Sequence, residues 1–226
     1  MSWTNLGFAA FFCASLCQAF ASEVSGRITI EKSAIRRTVP LAVYDLRGMA
    51  IPEDASGRRS ADEFQRVAIW LESSAPSTAA PVNVKMQQRN RHFEPELLVI
   101  PVGSRVDFPN SDPIFHNIFS LSGTQSFDLG YYSEGRSRSV NFPRAGIVQV
   151  YCHVHPDMHG VIVVTASRWS GKPAQDGKFS WANVPAGKYR LSVWQKSVGV
   201  IHKSVVVPEA GPVHVNVALP EEDPEH

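Results

Sequence analysis

The sequence is poor in cysteine, in net charge and in long apolar runs, and each shortage narrows what the chain can be. Lys and Arg number 22 against 21 Asp and Glu, a net charge of +1 over 226 residues. That balance supplies neither a basic field for nucleic acid nor an acidic tail. Sixteen prolines and fifteen glycines, spread along the chain, leave little room for a long helix. After the first 21 residues no apolar run approaches the length of about 18 residues that a membrane span needs, so none is expected there. The C-x-x-C-H signature of haem attachment is also missing.

Cysteine is the most informative shortage. The opening stretch MSWTNLGFAAFFCASLCQAFA, residues 1–21, has no charged side chain and ends in Ala19-Phe20-Ala21. An apolar run before an A-x-A sequence is expected to be a secretory signal cleaved after Ala21, which sends the chain to the periplasm. A membrane-anchoring helix is the alternative, although either reading lacks the usual Lys or Arg at the start. Leu16 before Cys17 is the wrong residue for a lipoprotein site. Cleavage removes Cys13 and Cys17 and leaves Cys152 alone among three cysteines. An unpaired thiol in an oxidising compartment calls for burial, an intermolecular disulfide or a metal.

Beyond the signal the periodicity is that of strands. Runs rich in Val, Ile and aromatics recur at Arg27–Ile30, Leu41–Leu46, Val67–Leu71, Leu97–Val102, Ile147–Tyr151, Val161–Thr165, Tyr189–Trp194 and Val213–Val217, separated by Gly, Pro, Asn and Ser. Only Ser60–Phe64 is expected to turn helically. An all-β sandwich architecture follows. Two polar breaks, Ser73–Pro81 and Ser167–Asp176, set off a middle unit, residues 81–167. The flanks, 22–80 and 168–220, are short for independent domains. They are expected to pair into one sandwich that carries the middle unit in a loop, with 221–226 as a tail.

The middle unit holds the chemistry. In Tyr151–Gly160, YCHVHPDMHG, the residues Cys152, His155 and Met158 follow one another at C-x2-H-x2-M spacing. The preceding GIVQVY is strand-like, so Cys152 sits where a strand gives way to a short loop held by Pro156. A fourth donor must come from elsewhere, and His116 is the natural candidate. Two imidazoles and a thiolate with a weak thioether describe type 1 copper; zinc accepts Cys and His but takes Met poorly. Other copper chemistry and a structural or nucleophilic thiol remain as alternatives. His153 and His159 are expected to point away from the metal, towards solvent. His92, His202 and His214 read as ordinary surface or strand residues, and Met86, Trp181 and Trp194 as core.

Three stretches carry a resemblance. The run Phe93–Val106, the segment F-P-N-S-D at Phe108–Asp112 with His116-Asn117 after it, and the Cys152–Met158 loop together resemble a cupredoxin domain, plastocyanin- and amicyanin-like. Gly177–Gln195, GKFSWANVPAGKYRLSVWQ, resembles the closing half of carboxypeptidase-regulatory or transthyretin-like sandwiches, and GRITI with VPLAVYDLRG looks like the opening half. The whole chain is similar to bacterial methylamine-utilization-type, plastocyanin-like proteins. The resemblance implies a Greek-key cupredoxin sandwich inserted in, or flanked by, a small carboxypeptidase-regulatory-like sandwich. It further implies copper on His116, Cys152, His155 and Met158, with Asn117 restraining the ligand loop from behind. The expected role is a non-enzymatic periplasmic electron carrier working with redox partner proteins. A copper-handling protein without redox traffic is the alternative.

Overall fold

In a computed structural model of the chain, the described residues are 21–31, 63–73, 77 and 79–220. Among these residues the fold is all-β: strands make up the regular structure, with one helical turn at Glu63–Phe64. Residues 1–20 of the expected signal, the expected strand at Leu41–Leu46 and the tail at 221–226 lie outside the described residues.

The chain opens with β1 (Ala21–Glu31) and β2 (Ala68–Glu72). Ten strands follow: β3 (Asn83–Lys85), β4 (Gln87–Arg89), β5 (His92–Glu94), β6 (Leu97–Pro101), β7 (Ser104–Pro109), β8 (His116–Ser122), β9 (Gln125–Tyr132), β10 (Ser137–Phe142), β11 (Gly146–Tyr151) and β12 (His159–Thr165). Five more close it: β13 (Ser170–Gly171), β14 (Lys178–Pro185), β15 (Gly187–Gln195), β16 (Gly199–Val207) and β17 (Val213–Pro220).

Strand β1 lies between β14, antiparallel to it, and β17, parallel to it. A second sheet runs β13-β2-β15-β16. Their shared core joins Val24, Ile28, Ile69 and Leu71 from the first part of the chain to Leu191, Val193, Val205 and Val217 from the last. Within the first sheet the strands crowd Gly26, where a Cβ would fall 1.8 Å from the Val215 carbonyl oxygen on β17 and 2.8 Å from the Phe179 ring on β14. The N-V-P-A-G segment does not close a hairpin. It carries the chain from β14 in one sheet to β15 in the other.

The middle strands build a separate core. Sheet β10-β7-β3 packs on the five-stranded sheet β6-β12-β11-β8-β9, burying Val106, Phe108, Ile118, Phe142, Val148 and Ile162 together with Cys152 and Met158. Met86 is fully buried in that core, as expected. Strand β12 reads VIVVT because both of its faces are covered. Ile162 and Val164 enter this core, while Val161 and Val163 join Ala68, Trp70, Leu97 and Trp194 in a seam between the two sandwiches. Trp194 is therefore buried, but in the seam rather than in a sandwich interior.

Candidate metal centre

Two strands and one loop assemble the site. His116 is the first residue of β8, and β11 ends at Tyr151, one residue before Cys152. Tyr151 pairs with His159 of β12 on one side and with Phe119 of β8 on the other. The loop 152–158 therefore closes the β11–β12 hairpin directly beside the start of β8. Inside the loop the Met158 N–H donates to the His155 carbonyl at 2.9 Å, a tight turn of the kind Pro156 favours.

The sulfur of Cys152 lies 3.8 Å from Nδ1 of His116 and 3.9 Å from Nδ1 of His155. All three ligand atoms lie within 4.8 Å of one another. Three donors around one ion, with bonds of about 2.0–2.3 Å, stand roughly 3.5–4 Å apart, so the spacing fits a single metal. Cys152 and His116 are buried, His155 is half-buried, and Met158 is buried in the same core cluster as Cys152. The set of two imidazole nitrogens and one thiolate, with a thioether in the same buried cluster, fits one type 1 copper ion.

Behind His116 stands Asp112. Its Oδ2 receives a hydrogen bond from Nε2 of His116 at 2.8 Å, and both side chains are buried. The backbone N–H groups of Asn90 and Arg91 also donate to this carboxylate, at 2.6 and 2.9 Å. Burial by itself raises the Asp112 carboxyl, but the bonds from Arg91, His116 and Asn90 outweigh it and hold the group below the usual carboxylate range. Asn110 ties the segment together: its Nδ2 donates to the carbonyls of Ile114 and Tyr132, and its Oδ1 accepts from the Asp112 N–H. Burial, followed by the charges of His116 and Arg91, holds the His155 imidazole below its ordinary value.

The flanking residues take other partners. Asn117 is buried beside His116, but its Nδ2 donates to Asp128 at 2.7 Å, which ties β8 to β9. Its Oδ1 has no hydrogen-bond partner among the described residues. His153 is exposed and lies flat on Phe119, with ring centroids 3.8 Å apart, and its Nε2 is 3.9 Å from Asp128. His159 does not face solvent as its position on the loop suggested. It is half-buried against Tyr151, and its Nε2 contacts Oε1 of Gln149 at 2.6 Å. Val161 and Val163, two and four residues further along β12 and so on the same face, lie in the seam. His92, His202 and His214 are exposed, and their rings contact the Asn90 carbonyl, the Ser192 hydroxyl and the Ser25 hydroxyl respectively.

Sequence reasoning overlooked Asp112, Asn110 and the β4–β5 hairpin that grips the carboxylate. N-S-D-P carried a signal, since Asn and Asp beside Pro organise a turn through their own side chains.

No protein-family model matches the chain, and no curated protein matches it. Among solved structures, a copper-containing nitrite reductase from Thermus scotoductus is similar over 42% of this chain and 24% of its own, with 27% identity and a TM-score of 0.36. The present chain thus spans about a quarter of that enzyme's length. A purple cupredoxin from Nitrosopumilus maritimus is similar over 36% of this chain and 96% of its own, with 27% identity and a TM-score of 0.33. A reduced Cu(I) amicyanin variant at pH 4 is similar over 43% of this chain and 98% of its own, with 22% identity and a TM-score of 0.35.

Proposed function

We propose that the chain is a periplasmic type 1 copper protein that carries single electrons between partner proteins and transforms no substrate. The observation that carries this reading is the convergence of His116, Cys152 and His155, two of them buried, on one point at the end of a rigid β framework. In this reading His116, Cys152, His155 and Met158 hold the ion. When bound, copper supplies a one-electron couple. The protein's own task is to keep water away and to hold the donors still in both oxidation states. Burial of His116, Cys152 and Met158 serves the first, and anchoring on β8, β11 and β12 serves the second. His155 supplies the way out, because it is half-buried beside the exposed Val154 and Pro156. Phe115, next to His116, is also exposed, at 62%. We assign this apolar rim as the docking face for redox proteins.

The copper unit in this reading is residues 81–167, carried within a carboxypeptidase-regulatory-like sandwich formed by 22–80 and 168–220. Residues 1–21 act as the export signal. Among the described residues no helix is long and apolar enough to cross a membrane.

Copper(II) added to the purified mature chain is expected to give an intense absorption near the red end of the visible spectrum. Cys152→Ser is expected to remove it, because a hydroxyl is a harder and poorer donor to copper, while the fold survives. An intense band that persists in Cys152→Ser refutes the assignment. A colourless site that exchanges copper(I) favours copper handling over electron transfer.

A further inference from the structure

The two histidines of the cluster are held unequally, and the difference lies in Asp112. A carboxylate only accepts hydrogen bonds, so the 2.8 Å contact puts the His116 proton on Nε2 and leaves the Nδ1 lone pair facing the sulfur of Cys152. No carboxylate is hydrogen-bonded to His155 among the described residues. Asp112 is itself fixed from two sides. Asn90 and Arg91 form the two-residue turn between β4 and β5, with φ of 53° and 60°. Positive φ at both central residues is the primed hairpin turn, and here it aims two successive N–H groups at one anion. Asn110 holds the Asp112 backbone from the opposite side. Among the described residues the carboxylate thus has three donors, and no Lys or Arg side chain is bonded to it.

We propose that Asp112 is a positioning residue that locks His116 in the Nε2–H tautomer and, through its buried negative charge, favours the oxidised over the reduced metal. This rests on the copper reading above and deepens it. A ligand histidine whose far N–H is held by a carboxylate is oriented and made more basic, and removing such a partner weakens metal binding by about 10–100-fold. The added electron density favours the more highly charged ion, so the loss falls mainly on copper(II). Asp112 therefore sets a lower reduction potential than the four ligands alone would give.

Asp112→Asn keeps the shape and removes the charge. It also leaves an amide N–H2 facing a donor that the carboxylate had satisfied. The expected result is a blue protein whose copper(II) affinity falls at least about tenfold more than its copper(I) affinity, which raises the potential by about 59 mV for each tenfold. Asp107→Asn removes the same charge from a partly exposed carboxylate bonded to Arg105 and Ser139, and it should leave the potential unchanged. A blue Asp112→Asn variant with the wild-type potential overturns the inference and leaves the copper reading standing. A wild-type chain that never turns blue defeats both. Should Asp112→Asn fail to fold, nitrogen-15 NMR of the metal-free wild-type chain decides. A slowly exchanging proton on Nε2 of His116 with Nδ1 unprotonated supports the assignment, and a proton on Nδ1 overturns it.

Discussion

Trp70→Ala tests whether the copper unit and the flanking sandwich stand as one cooperative body. Trp70 sits on β2 with only 8% of its surface exposed, packed in the seam with Leu97, Val161, Val163 and Trp194. Its neighbours in sequence, Ile69 and Leu71, point the other way, into the flanking core. Truncation therefore opens the seam while leaving that core intact. Burying an indole removes about 200 Å² from water, worth about 5 kcal/mol at 25 cal/mol per Å². An extended reference chain makes that an upper bound, so about 3–5 kcal/mol is expected, the usual cost of a buried Trp→Ala. For a chain of this size it lowers Tm by about 6–20 °C. The assay exploits the tryptophan distribution. Trp70, Trp169, Trp181 and Trp194 all lie outside residues 81–167, so indole emission follows the flanking sandwich, and the copper colour follows the middle unit. In the wild type the two signals should be lost together; in Trp70→Ala they should separate, the emission changing first. Coincident transitions in the variant, with a loss below about 1 kcal/mol, refute the seam as a coupling element.

The metal-free chain should lose stability on mild acidification. Burial chiefly holds His155 and His159 below their ordinary value; the charges of His116 and Arg91 near His155 and of Lys196 near His159 add to this, and Asp112 and Glu96 oppose it. Below about pH 6.5 the unfolded chain then binds more protons than the folded one, so stability falls with pH until the folded values are passed. Urea unfolding of the copper-free protein between pH 8 and 5 checks this, and a flat profile contradicts it. Asp112 is held below its ordinary range and contributes in a separate, more acidic window, where carboxylates protonate. At the proposed docking rim, Phe115→Asp places a like charge on the face expected to meet its copy during electron self-exchange. It should slow the exchange by at least about tenfold, the equivalent of about 1.4 kcal/mol, and an unchanged rate removes the rim from the exit path.

Apart from His116, what was legible in the sequence was contiguous. Cys152, His155 and Met158 lie within seven residues, and the physics of their convergence is that of one short loop after one strand. Strand character was equally plain where a run was apolar throughout. VIVVT at Val161–Thr165 carries the further message, readable in retrospect, that a strand apolar on both faces must be covered twice, by its own core and by a neighbouring sandwich. The hairpin β4–β5 gave no such signal. QQRNRHFE is polar at most positions because it buries chiefly Gln88 and Phe93, and its importance lies in two backbone N–H groups, which no side-chain pattern records. His159 misled for a related reason. Alternation correctly turned it from the metal, but the face it then occupied runs on through Val161 and Val163 into the seam, which Ala68, Trp70 and Trp194 close from strands distant along the chain. The same separation explains Asp112. Its placement depends on a turn at Asn90–Arg91, some twenty residues upstream, and on an orientation that only folding creates. A carboxylate four residues before a histidine becomes a structural element only when backbone donors hold it in place, and the positive φ of Asn90 and Arg91 is where the chain provides them.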